Sequence, residues 1–142
     1  MKKKNPVLFH FLSHCALRNR ETLKEFICSI FKKEKKPLER LDIIFCDDDY
    51  LLNLNRQFLQ HDFYTDILSF PYSNVNQPLV AEIYISVERV RENARSTGST
   101  FKKEVHRVIF HGVLHFCGYK DKSPADIRKM RSMEDNYLKS YW

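Results

Sequence analysis

His111-Gly112-Val113-Leu114-His115-Phe116-Cys117-Gly118-Tyr119-Lys120-Asp121 is the stretch on which the reading of this chain turns. It closes a longer run, Phe101 to Cys117, that reads as a helix. Val108, Ile109, Phe110, Val113, Leu114, Phe116 and Cys117 put apolar surface around its whole circumference, and such a helix is covered on every side. Two of the chain's 3 glycines lie here. Gly112 costs about 1 kcal/mol of helix stability against alanine, so its presence predicts close approach by another backbone. Gly118 is free to take a positive φ and predicts the end of the helix. His111 and His115 stand four residues apart on one helical face, and that spacing suits two ring nitrogens meeting one metal ion. A stop at Gly118 lets the chain double back and return Asp121 to the pair. Two neutral imidazoles and one carboxylate leave a fourth position for water, the open pattern of a catalytic zinc. The competing reading is a pair of core histidines bonded to carbonyls. The position of the glutamate in H-E-x-x-H peptidases is occupied by Gly112, which argues against that class.

Working outward, apolar spacing predicts the rest of the fold. Val7 to Phe11 reads as a short strand. Leu23, Phe26, Ile27, Ile30 and Phe31 recur at three- and four-residue steps and predict a helix from Glu21 to Lys33, stopped before Pro37. Lys32, Lys33, Lys35 and Lys36 suit the negative end of its dipole and are a candidate phosphate grip. Leu41 to Cys46 reads as a strand. Asp47-Asp48-Asp49 lacks the glycine and distal glutamate of a calcium loop, so it predicts a cap on a helix from Tyr50 to Leu59. Strands are predicted at 65–72 and 79–85, separated by a polar turn from Ser73 to Pro78. Ser86 caps a helix to about Thr97, and the chain turns at Gly98. Pro124 sits at the first turn of a last helix, from Ser123 to Leu138. Strands interleaved with five helices and no linker imply a single α+β domain spanning residues 1–142.

Composition narrows the function class. The chain has 142 residues, 43% hydrophobic and 30% charged, which excludes wholesale disorder. No apolar run approaches the ~18 residues of a membrane span. Val7 to Leu12 is too short and too polar for a secretory leader, so the expected compartment is the cytoplasm. Cys15, Cys28, Cys46 and Cys117 form no C-x-x-C pair and read as buried reduced thiols. The formal charge of +6 hides a strong asymmetry. Residues 1–40 carry 11 Lys/Arg against 4 Asp/Glu, residues 41–88 carry 1 against 8, and residues 89–142 carry 12 against 6. Two basic ends around an acidic middle fit a polyanionic partner.

The motifs together resemble the YbeY family of bacterial endoribonucleases. That family's signature, H-G-x-L-H-x-x-G-Y-D-H, is matched by His111-Gly112-Val113-Leu114-His115 and Gly118-Tyr119. A second family stretch, L-N-x-x-Y-R-x-x-D-x-x-T-D-V-L-S-F-P, is similar to Leu54 through Pro71. A third, G-D-I-x-I-S, is similar to Ala81-Glu82-Ile83-Tyr84-Ile85-Ser86, followed by a helix carrying Ala94. Three departures stand out. The family's third histidine falls on Asp121, with Lys120 where the family has aspartate. Its arginine after the aromatic falls on Leu59, and Arg56, one turn earlier, is the candidate substitute. Gly-Asp becomes Ala81-Glu82.

The resemblance implies a small α+β domain with about four strands, mostly parallel, and about five helices, with the metal site on a buried central helix. It implies one Zn²⁺ ion, held by His111, His115 and Asp121. It implies cleavage of single-stranded RNA, with 16S rRNA and the ribosomal subunits as partners, in 3′-end maturation and ribosome quality control. A metal ion in such a site polarises a phosphoryl oxygen or acidifies water. A phosphodiester transition state gathers negative charge and wants cations nearby. Arg107, one turn before His111 on the same face, is the first candidate, against a structural ion pair with Glu104. Lys120 and Lys122 come next. Either water or the 2′-OH can serve as nucleophile. The rival reading is a basic, non-catalytic ribosome-assembly factor with a structural metal. A weaker third reading is a metal-dependent hydrolase acting on something other than RNA.

Overall fold

A computed structural model describes residues 4–60 and 65–142. Lys2 and Lys3, and the motif residues His61, Asp62, Phe63 and Tyr64, lie outside the described residues. In chain order the elements are β1 (Val7–Phe11), α1 (Arg20–Lys33), β2 (Leu38–Cys46), α2 (Asp48–Leu59), β3 (Ile67–Pro71), β4 (Leu79–Ser86), α3 (Val87–Thr97), α4 (Phe101–Phe116) and α5 (Pro124–Tyr141). The strands form one sheet in the order β1-β2-β4-β3. β1 and β4 both pair with β2 in parallel, and β3 pairs with β4 antiparallel. The α+β class and the mostly parallel sheet agree with the sequence reading. Pro71 stands on the edge strand, where its missing N–H is harmless.

Strand alternation separates the two faces of the sheet. Leu41, Ile43 and Phe45 of β2 and Ala81, Ile83 and Ile85 of β4 are all buried on one face. They join the buried side chains of α1, α3, α4 and α5 in the main core. Burying each such aliphatic or aromatic side chain contributes about 1.5–3 kcal/mol. On the other face, Cys46, Leu51 and Leu68 form a smaller cluster under α2.

Several boundaries differ from the sequence reading. α2 starts at Asp48 rather than Tyr50. β2 starts at Leu38 rather than Leu41, because its first residues pair with β4 through an irregular register between Leu38 and Arg40. β3 begins at Ile67, two residues late. α5 runs on to Tyr141, where the ring packs against Phe26 with centroids 4.9 Å apart.

The ends of β2 and β4 lie side by side, and a helix starts from each. The Asp47 side chain accepts from Tyr50 N at 2.8 Å, the cap that the acidic triplet predicts. Asp48 does something further. Its carboxylate accepts from the Ser86 hydroxyl at 2.6 Å and from Arg89 Nη2 at 3.0 Å. Its own N–H donates to Glu88 at 3.0 Å. The first turns of α2 and α3 are thus cross-linked at the C-terminal ends of the two central strands.

Candidate metal centre

α4 carries the centre. It is pinned between the sheet and its helical neighbours by Val105, Ile109, Phe110, Val113 and Leu114, all nearly or fully buried. Gly112 lets it settle there. A Cβ at this position would stand 2.8 Å from Ile67 Cδ1 and 2.9 Å from Ile83 Cδ1. The close approach is therefore made by two side chains of the sheet, not by a backbone as the sequence reading had it.

The helix ends as Gly118 predicts. Gly118 has φ of 102°. Its N–H donates to His115 O at 3.1 Å, and Tyr119 N–H donates to Leu114 O at 3.1 Å. This is the Schellman pattern, and it turns the chain back along α4. Tyr119 then anchors the returning loop. Its hydroxyl donates to Glu34 Oε1 at 2.6 Å, while the Tyr137 hydroxyl donates to Glu34 Oε2 at 2.9 Å. One carboxylate at the end of α1 ties the loop to α5.

Asp121 is brought back to the two histidines. Its Oδ2 lies 3.4 Å from His111 Nε2 and 3.2 Å from His115 Nε2. All three donor atoms fall within 4.8 Å of one another. Donors about 2.0–2.1 Å from a tetrahedral zinc stand about 3.3 Å apart. The two separations to Asp121 match that edge. The donor set, two ring nitrogens and one carboxylate oxygen, fits a small divalent cation.

His111 has a partner on its far side. Glu134, buried on α5, accepts from His111 Nδ1 at 2.7 Å. That contact fixes the tautomer and turns the Nε2 lone pair toward Asp121 and His115. Burial pushes the His111 pKa down. The hydrogen bond and charge of Glu134, with Asp121 and Asp66, outweigh it and leave the value raised.

Arg107 stands one turn before His111 on the wall of a cavity of about 490 Å³. Its Nη1 donates to Glu134 Oε1 at 3.1 Å and its Nη2 to Asp135 Oδ1 at 2.7 Å. The structural partners are these two, not the Glu104 that sequence spacing suggests. Arg56 lies in the last turn of α2, exposed, and is not among the described residues lining that cavity. Lys120 lines a different depression, with Tyr119 and Lys129.

Sequence reasoning missed three acids. Glu134 interrupts the buried stripe of Met130, Tyr137 and Leu138 on α5. A carboxylate in such a stripe needs a partner, and that signal was available. Asp66 lines the cavity and accepts from Asn93 Nδ2 at 3.2 Å. Burial raises its pKa, partly offset by His111. Glu34 carries no sequence signal, since its partners lie 85 and 103 residues away.

The structure thus joins a small α+β domain to a His–His–carboxylate cluster that could hold a metal ion, beside a cavity lined mostly by polar residues. The family is shown by comparison. The model of the family "Endoribonuclease YbeY" matches residues 13–142. An endoribonuclease YbeY of Cytophaga hutchinsonii is 44% identical over 138 residues, 97% of this chain and 96% of that protein. One from Bacteroides thetaiotaomicron is 40% identical over 122 residues, 86% of this chain and 88% of that protein. The solution structure of TM1509 from Thermotoga maritima superposes with a TM-score of 0.65 at 30% identity, covering 94% of this chain and 89% of the other. The chain belongs to the YbeY endoribonuclease family.

Proposed function

We propose that this chain, acting over residues 1–142 as one domain, is a zinc-dependent endoribonuclease that cleaves single-stranded RNA. Its substrate is the 3′ end of 16S rRNA on ribosomal subunits, its work is maturation and quality control, and its place is the cytoplasm. The observation that carries the reading is the convergence of His111, His115 and Asp121 at the mouth of a polar cavity, in a chain of this family. The naming of the relatives does not favour the non-catalytic alternative. No helix among the described residues is long and apolar enough to cross a membrane.

His111, His115 and Asp121 would hold one Zn²⁺, which would supply Lewis-acid activation of a phosphoryl oxygen or of water. The chain's own residues do the rest. Glu134 holds the proton on His111 Nδ1, so that Nε2 stays a donor. Arg107 is fixed by two carboxylates on the cavity wall and presents positive charge where a phosphodiester gains negative charge. Arg56 is the second candidate for such contact, at the end of α2. Incubating a single-stranded RNA with the protein, with chelator, and with chelator followed by excess Zn²⁺ tests the reading. Cleavage, loss and recovery are expected in that order. Intact RNA in all three, or cleavage indifferent to chelator, contradicts it.

A further inference from the structure

The cavity beside His111 continues along α4. It shares Thr97, Glu104, Arg107 and Arg131 with a depression over the N-terminus of that helix. This depression shares Thr100 and Lys103 with another, bounded by Lys139 and Trp142. Lys102 and Trp142 then carry on into a fourth, walled by Tyr141 and His106. Sharing walls in this way, the depressions follow one another from His111 back to Lys102, a row that we term the groove. Nine residues of helix separate those two positions, about 13 Å.

Charge and aromatic surface are both arranged along it. Beyond the His111 cavity, which is itself lined by Asp66, Asp121 and Glu134, the depressions carry Arg107, Arg131, Lys103, Lys102 and Lys139 against Glu104 and Asp135. Asp135 is already bonded to Arg107, and Glu104 sits in the field of Arg107 and Arg131. The balance is positive along the depressions beyond the His111 cavity. At the far end Trp142 is 53% exposed. Its ring is held edge-on by His106, with centroids 4.7 Å apart, and the Lys102 ammonium lies 5.3 Å from its centroid. A half-exposed indole, fixed in place and flanked by cations, is a surface on which a nucleobase stacks.

We propose that this groove binds the single-stranded RNA a few nucleotides from the cleaved bond, with Lys102, Lys103 and Lys139 on phosphates and Trp142 as the base-stacking platform. The proposal rests on the reading of the chain as an endoribonuclease and adds the path of its substrate. A separate depression, where Lys120 and Lys129 stand with Glu34 and Asp126 beside Tyr119, carries no such excess of cations and shares no described lining residue with the cavity at His111. The RNA is therefore assigned to the α4 side.

Trp142 is the only tryptophan of the chain, so its fluorescence reports on the platform directly. The probe is a ten-nucleotide 2′-O-methyl oligouridylate, added to the full-length, metal-loaded protein. Saturable quenching is expected. With affinity read by the anisotropy of a 5′-fluorescein-labelled form of the same oligonucleotide, since these variants hold no tryptophan, Trp142→Ala should weaken binding by about fivefold to a hundredfold and Trp142→Phe should keep most of the affinity. Lys103→Ala and Lys139→Ala should each reduce the slope of log affinity against log salt by about 0.7. Cleavage of an unmodified single strand, followed in parallel, separates the two claims. Cleavage without any change in tryptophan fluorescence overturns the groove and leaves the nuclease. Quenching without cleavage supports the groove and contradicts the nuclease. An affinity loss in Lys120→Ala/Lys129→Ala but not in Lys103→Ala/Lys139→Ala also overturns the groove.

Discussion

Glu134 Oε2 accepts a 2.7 Å hydrogen bond from His111 Nδ1 while its other oxygen, Oε1, accepts one from Arg107. One buried carboxylate thus orients an imidazole of the candidate metal centre and a wall cation together. Glu134→Gln keeps the shape but removes the charge that holds the imidazole. Metal affinity should fall about ten- to a hundredfold, the range seen when such outer partners are lost. Competition against a chelator of known affinity measures it, and an unchanged value would show that the contact does not tune the centre.

Arg107 and Glu134 have side chains only 10% and 5% exposed. Arg107→Ala leaves a buried carboxylate with one partner fewer and should destabilise the fold by about 3 kcal/mol. Urea unfolding measures this. Arg107→Lys keeps the charge and loses the fork to Glu134 and Asp135. It should fold, retain metal and cleave RNA at least about tenfold more slowly. Arg56→Ala should lower the rate less, because Arg56 is absent from the cavity wall. The reverse ranking would move the phosphate contact to α2.

Gly112→Ala sets two effects against each other. Alanine gains about 1 kcal/mol of helix propensity. The new Cβ would meet Ile67 Cδ1 and Ile83 Cδ1 inside 3.0 Å, and overpacking of this kind costs about 1–3 kcal/mol. Since Ile83 is fully buried, packing should win, with a net loss of about 1 kcal/mol. Adding Ile67→Val removes one of the two methyl groups and should recover part of it. A single variant more stable than the parent would show that the sheet gives way.

His106 gives the fold an acid sensitivity. Its ring is buried beneath Tyr141 and Trp142, and Nδ1–H donates to Lys102 O at 2.6 Å. Burial chiefly pushes its pKa below the ordinary 6.5. The unfolded chain therefore takes up the proton first as pH falls. The contribution to stability is full above pH ~6.5 and is lost below it, at up to about 1.4 kcal/mol per pH unit. The stability difference between wild type and His106→Phe should shift in the variant's favour between pH 7 and pH 5. A difference that stays flat over that range would contradict the neutral, buried state.

Much of this was legible in the chain. The apolar circumference of residues 101–117 placed α4 at the centre. Gly118 predicted the stop, and the six-residue step from His115 to Asp121 predicted the return. Ser123 before Pro124 marked the start of α5, and the Ser123 side chain does cap it. Local spacing carries such features because helices and turns are short-range. The supports of the centre are not short-range. Glu134 reaches His111 across 23 residues, and Glu34 reaches Tyr119 across 85. For Arg107, sequence spacing pointed only to the nearby Glu104, and in space the partners are Glu134 and Asp135. At Gly112 the sequence showed that something came close, and only the register of β3 and β4 on α4 identified it as Ile67 and Ile83.

The most direct measurement is the metal content of the purified protein and of its His111→Ala, His115→Ala and Asp121→Ala variants, with folding checked by circular dichroism. Asp121→His belongs in the same series, since it restores the imidazole of the family signature. One equivalent of metal in the wild type and in Asp121→His, with strong loss in the three alanine variants, is the predicted result. Full metal occupancy in folded Asp121→Ala, or in either histidine variant, would contradict the three-ligand centre.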